Sequence, residues 1–204
     1  MKEQQDYIRD LTEIRSMMER SSKFLSLSGL ALLIAGIYGL AAAFIAYKLF
    51  SFNAPEVIGG TLQSAQVLKL IVVAIVVLGL ALGTALLLSY RKSVKRGEKF
   101  WNPTSRQLAM NMAVPLVTGG LLSLILIQDG LMGLVPPFTL LFYGIAMFNA
   151  SKFTYEELKS LGLIQIVLGL ISSYFVEYGL LIWAIGFGVV NIIYGIYIHY
   201  RYER

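Results

Sequence analysis

Residues 119–147 read GGLLSLILIQDGLMGLVPPFTLLFYGIAM, two apolar runs folded about a single Asp-Gly step. A looser copy occupies residues 169–197, GLISSYFVEYGLLIWAIGFGVVNIIYGIY. Gly120, Leu121 and Ser123 answer Gly169, Leu170 and Ser172, and Gly130-Leu131 answers Gly179-Leu180. After a two-residue slip Tyr143-Gly144-Ile145 answers Tyr194-Gly195-Ile196. Each copy turns around one acid, Asp129 or Glu177. The unit is a helical hairpin, used at least twice.

The flanking sequence makes it a membrane hairpin. About 20 apolar helical residues cross a bilayer core. Residues 24–47, 70–90, 107–128, 130–151 and 178–198 each lack Asp, Glu, Lys and Arg. A sixth run, 160–176, is shorter, but Thr154 and Glu157 have capping-box spacing and start its helix near Tyr155. The expected fold is therefore all-α and polytopic. Six transmembrane helices (approximate spans 24–48, 67–90, 105–128, 131–151, 155–176 and 178–200) form three hairpins, of which 3-4 and 5-6 are the repeat. With 57% hydrophobic and 14% charged residues in 204, no separate soluble domain fits beside this unit at 24–204.

Charge placement predicts orientation. Lys2, Arg9, Arg15, Arg20, Lys23, Arg91, Lys92, Lys95, Arg96, Lys99, Arg106, Lys152, Lys159, Arg201 and Arg204 fall on one side, and only Lys48 and Lys69 on the other. By the positive-inside rule both termini are cytoplasmic, in a plasma (inner) membrane of bacterial type. The first 23 residues are mixed in charge and lead into a run too long for a signal-peptide core, so 24–47 is expected to stay as a span.

Residues 2–22 predict a cytoplasmic amphipathic helix. Tyr7, Leu11, Ile14 and Met18 recur at spacings of four and three, a seam suited to burial against protein. Five acids balance five bases between residues 1 and 23, which disfavours a helix lying on anionic lipid. The seam is a candidate contact for a second copy or a cytoplasmic protein. The basic loop with Arg91, Lys92, Lys95, Arg96 and Lys99 is a candidate site for acidic lipid headgroups, and nucleic acid is not expected.

Chemistry is sparse. The absence of cysteine removes thiolate nucleophiles and thiolate metal sites, and no phosphate loop or metal-ligand spacing occurs. His199, the sole histidine, lies at a helix end away from the serines, so no catalytic residue, cofactor or metal is expected. Within the spans Tyr38, Tyr143, Asn191 and Tyr194 are the candidate cavity-lining residues, because a polar group there needs a partner. Asp129 and Glu177 are candidates for an acidic outer mouth. Small residues at four-residue spacing, Ala35, Gly39 and Ala43 in the first span and Gly79 and Gly83 in the second, predict close helix packing. The functional expectation is a non-catalytic protein with a sensing, anchoring or assembly role through its N-terminal helix. A channel or carrier for a small neutral or lipophilic solute is the alternative, and a lipid-modifying enzyme a distant third.

Overall fold

The computed structural model describes residues 28–50, 64–95, 97 and 100–203. The seam at Tyr7, Leu11, Ile14 and Met18 and the side chains of Arg96 and Lys99 lie outside the described residues. Among the described residues all regular structure is helical. The helices are α1 (Gly29–Phe50), α2 (Ser64–Lys95), α3 (Pro103–Gln128), α4 (Val135–Ala150), α5 (Glu157–Tyr174), α6 (Gly179–Trp183) and α7 (Asn191–Tyr202). Short 3-10 turns, Met132–Leu134 and Val176–Tyr178, precede α4 and α6, and a π-helical segment, Ala184–Val190, joins α6 to α7. Among the described residues five stretches are long and apolar enough to cross a membrane: Gly29–Lys48, Leu68–Lys95, Pro103–Gln128, Met132–Ala150 and Val176–Tyr202. The protein is therefore an all-α, membrane-embedded bundle.

Local sequence explains the helix ends. Asn102 caps α3, accepting from Ser105 N at 2.7 Å while Ser105 Oγ accepts from Asn102 N at 2.9 Å, and Pro103 fills the first turn. Gly130, at φ 73°, reverses the chain after α3. Pro136 and Pro137 occupy the first turn of α4, where a missing N–H costs nothing. Helix α5 begins at Glu157, two residues later than the Thr154–Glu157 spacing predicts, with Glu156 at its N-cap position and no side-chain cap bond there. Thr154 and Tyr155 are instead buried under the bundle end.

The helices follow one another in space as α3, α4, α5, the α6–α7 run, α1 and α2. Two antiparallel contacts dominate, α4 on α5 and α7 with the π segment on α1. Both are glycine contacts with backbone on the other side. A Cβ on Gly162 would lie 2.6 Å from both Gly144 O and Phe148 N, and one on Gly144 would lie 2.7 Å from Gly162 O. On the other side of the bundle, a Cβ on Gly29 would lie 2.9 Å from Gly195 O and 2.6 Å from His199 N. Gly169 meets Leu141 and the Pro137 carbonyl just as Gly36 meets Ile192 and the Gly188 carbonyl. Close approach through glycine is how helices gain packing energy where lipid is as apolar as leucine.

Helix α2 differs. It packs on α1 and makes little contact with α3, although a short connection joins the two. Val72, Ile75, Val76, Leu80, Leu86 and Leu87 are each half or more exposed, and a Cβ on Gly79 or Gly83 would meet nothing within 4 Å. A core cluster of Leu32, Leu108, Met147, Ala150, Tyr155, Leu158, Leu161 and Ile198 brings α1, α3, α4, α5 and α7 together.

Candidate functional site

Two polar clusters stand out, one midway along the helices and one at the end where α1 begins and α7 finishes. The middle cluster is neutral. Gln165, fully buried midway along α5, donates from Nε2 to Gly186 O at 2.8 Å and to Asn191 Oδ1 at 3.4 Å. The Tyr143 hydroxyl donates to the same Asn191 oxygen at 3.3 Å. Gly186 belongs to the π segment, whose i→i+5 pattern disturbs the carbonyl ladder and lets a side chain bond there. The Gln165 Oε1 atom has no hydrogen-bond partner, and neither has Ser172 Oγ, further along the same face of α5. A Cβ on Gly186 would lie 2.6 Å from Oε1, so the amide oxygen rests on the glycine Cα. Beside this layer Tyr143 stacks on Phe187 at 4.6 Å and Phe187 on Trp183 at 4.8 Å, while Trp183 Nε1 donates to Thr139 Oγ1 at 3.0 Å.

The end cluster is ionic and centres on Glu203, whose side chain is 9% exposed. Its Oε1 accepts from Lys92 Nζ at 2.8 Å and from the Gly29 N–H at 2.7 Å, and its Oε2 lies 2.6 Å from His199 Nδ1. Lys92 also donates to the Tyr155 hydroxyl at 2.7 Å and lies over the Tyr155 ring. Gly29 is the first residue of α1, so the carboxylate serves an N–H that its own helix leaves unpaired and faces the positive end of the helix dipole. Burial pushes the Glu203 carboxyl up, but the bonds from Lys92, His199 and the Gly29 N–H outweigh it and hold the group below the ordinary glutamate range. Alongside, Glu157 accepts from Tyr202 Oη at 2.8 Å and pairs with Arg201 at 3.1 Å. Four helices, α1, α2, α5 and α7, are thus tied at one end.

The structure brings Tyr143 and Asn191 together and leaves the other two candidate cavity residues apart. Tyr194 bonds Ser160 Oγ at 2.9 Å nearer the charged end, and Tyr38, half-buried on α1, takes no part in the middle cluster. Asp129 caps the end of α3 and Glu177 sits in the 3-10 turn before α6; both are exposed, on neighbouring turns. Of the basic-loop residues, Arg91 and Lys95 are exposed, whereas Lys92 is turned inward onto Glu203 and Tyr155. Gln165, Glu203 and Tyr155 were not among the sequence candidates. Glu203 had one usable signal, its i,i+4 spacing from His199. No cluster of three or more His, Cys, Asp or Glu side chains able to hold a metal occurs among the described residues. Comparison with protein-family models, with characterised proteins and with solved structures gave no match.

Proposed function

We propose that this is a six-span protein of a bacterial-type inner membrane, built from three hairpins of common origin, that works by association and not by catalysis. Both termini face the cytoplasm in this reading, and α5 also spans, which brings the five apolar stretches to six spans. The one-sided distribution of lysine and arginine supports the orientation. The matched glycine registers of α4 on α5 and α7 on α1 support the repeat, because Tyr143-Gly144 and Tyr194-Gly195 sit at the same place in each contact.

The observation that carries the functional reading is the Glu203 cluster. It gathers the first residue of α1, the end of α2, the approach to α5 and the end of α7 at one face, and residues 1–27 join the bundle there. A cytoplasmic segment with a seam at Tyr7, Leu11, Ile14 and Met18 would be mounted on a fixed base, as an anchoring, sensing or assembly role requires. Deleting residues 2–22 tests this by co-purification and by mass measurement of the detergent-solubilised protein. The reading holds if a bound protein or a self-associated state is lost with the segment. It fails if every partner and the oligomeric state survive the deletion.

A second reading, a carrier for a small neutral solute, draws on the Tyr143–Asn191–Gln165 layer and the π segment, since interrupted helices line solute sites in transporters. Uptake of uncharged solutes into liposomes bearing the protein, compared with a Gln165→Leu, Asn191→Leu double variant, distinguishes it. Uptake that the double variant abolishes would favour the carrier.

A further inference from the structure

We infer that α2 and α3 together form a self-association surface, and that its occupant is the α2–α3 pair of a second copy of this chain, related by a two-fold axis normal to the membrane. The inference rests on the repeated-hairpin reading above. In that reading each hairpin has a helix of the α4 and α7 kind and a helix of the α5 and α1 kind. Two of the three contacts between successive hairpins are made, α4 with α5 and α7 with α1, in one shared register. The third, α2 with α3, is open within the chain.

The open edges carry the residues that the closed contacts use. The sequence correspondence of Gly120 with Gly169 places Val117 opposite Ile166 and Ala113 opposite Gly162. In the closed contact Gly162, Ile166 and Gly169 all meet α4 backbone or side chain, whereas Ala113, Val117 and Gly120 are exposed. On α2, Leu80, Gly83 and Leu87 repeat the spacing of Leu141, Gly144 and Phe148 on α4 and of Ile192, Gly195 and His199 on α7. Leu80 and Leu87 are 50% and 62% exposed, and Gly83 meets nothing. Gly83 and Ala113 lie at similar distances along their helices from the connection between them, so the two half-contacts are level.

A second copy is the occupant that this arrangement selects. The two edges differ, one presenting the α4-type face and the other the α5-type face. Two copies in the same membrane orientation and related by a two-fold axis place each α2 against the partner's α3, antiparallel as in both closed contacts. That pairing satisfies both edges at once and leaves none over, which is the condition for a closed dimer in place of a chain of copies. Acyl chains also cover apolar helices, but they gain nothing specific from a glycine notch, whereas a helix gains close packing there.

The absence of cysteine permits a direct test. Full-length protein with Leu80→Cys and full-length protein with Val117→Cys, distinguished by two tags, are co-expressed and oxidised in native membranes. A disulfide-linked dimer carrying both tags is expected, with none when Leu163→Cys on the exposed face of α5 replaces Val117→Cys. Gly83→Leu with Gly120→Leu should lower the cross-linked fraction about tenfold or more while the monomer remains folded and inserted. In the doubly substituted Leu80→Cys, Val117→Cys protein, a link formed within one chain would overturn the proposal, since the third contact would then close internally. Absence of a link between Leu80→Cys of one copy and Val117→Cys of the other overturns it as well. Repeating the reaction without residues 2–22 separates the two readings: a dimer that persists shows association through α2 and α3 independent of the N-terminal segment.

Discussion

The glycine contacts on one side of the bundle and the bare α2 on the other make opposite use of the same residue. Gly144 and Gly162 each lie against the other's backbone, whereas Gly79 and Gly83 face empty space. A small-residue line in a membrane helix permits close approach but does not bring a partner, so spacing alone does not separate the two cases. What separates them is the opposing backbone. The contrast can be broken most strongly by adding bulk. Gly162→Leu should abolish the folded bundle, because Gly144 O and Phe148 N leave no room and neither is a flexible side-chain tip. In the monomeric protein, Gly79→Leu should leave thermal unfolding in detergent within a degree or two of the parent, a change away from any feature packed within the chain. Equal losses from both substitutions would mean that α2 is packed as tightly as α4.

Helix α2 is held to the bundle by its contact with α1 and, among the described residues, by Lys92, which pairs with Glu203 and bonds the Tyr155 hydroxyl. Replacing Lys92 by Met leaves a largely buried carboxylate with less compensation and should cost about 3 kcal/mol, the low end for breaking such a pair, because water reaches this end of the bundle. The double variant Lys92→Met, Glu203→Gln should recover part of that loss, since the uncompensated charge is gone. Urea-induced unfolding in mixed micelles measures both. A double variant no better than the single would show that the lost Lys92–Tyr155 bond, and not the stranded charge, carries the effect.

The same cluster gives the bundle a pH dependence whose sign is fixed. The folded-state carboxyl of Glu203 is held below its ordinary range, so its contribution is present above that range and is lost as pH falls through the lowered value. Melting temperature should therefore decline on acidification below about pH 4.5, the ordinary glutamate region. The Glu203→Gln protein should show a shallower decline over the same interval. Parallel curves would place the acid sensitivity elsewhere.

The all-α, membrane-embedded character was legible in the sequence for a simple reason. Membrane spans are set by length and charge exclusion, and the described helices begin and end close to the runs that lack charge. The Asp129-Gly130 turn was equally plain, and Gly130 takes a positive φ. Side-chain destinations were not. Lys92 reads as one more cation in a basic loop, and only the fold brings Glu203, a residue far along the chain, to meet it. Glu203 itself reads as a solvated residue near a helix end. The π segment has no signature beyond Gly186 and Gly188, because a one-residue change in hydrogen-bond pattern depends on what packs against it.

Gln165 shows the same limit and supplies the smallest test. It sits in the run LGLIQIVLGL and shares a face with Ser172, yet nothing local marks it as the residue that bonds the π segment. Its replacement by Leu removes the 2.8 Å bond to Gly186 O and leaves that carbonyl without the amide. Hydrogen bonds between membrane helices average about 0.6 kcal/mol, because unfolded segments in lipid also find partners. The unpaired Oε1 is removed at the same time, which offsets part of the cost. Gln165→Leu should therefore destabilise by about 1 kcal/mol or less, provided that the branched side chain fits against Gly186. Gly186→Ala probes the same contact from the other side and should cost more, because its Cβ would meet both Leu140 and the Gln165 oxygen. Combining the two shows which effect dominates. If Gly186→Ala is tolerated better in the Gln165→Leu background than in the parent, the glycine is there to receive the amide. If it is tolerated no better, Leu140 sets the spacing, and the amide bond merely occupies room that the aliphatic packing leaves.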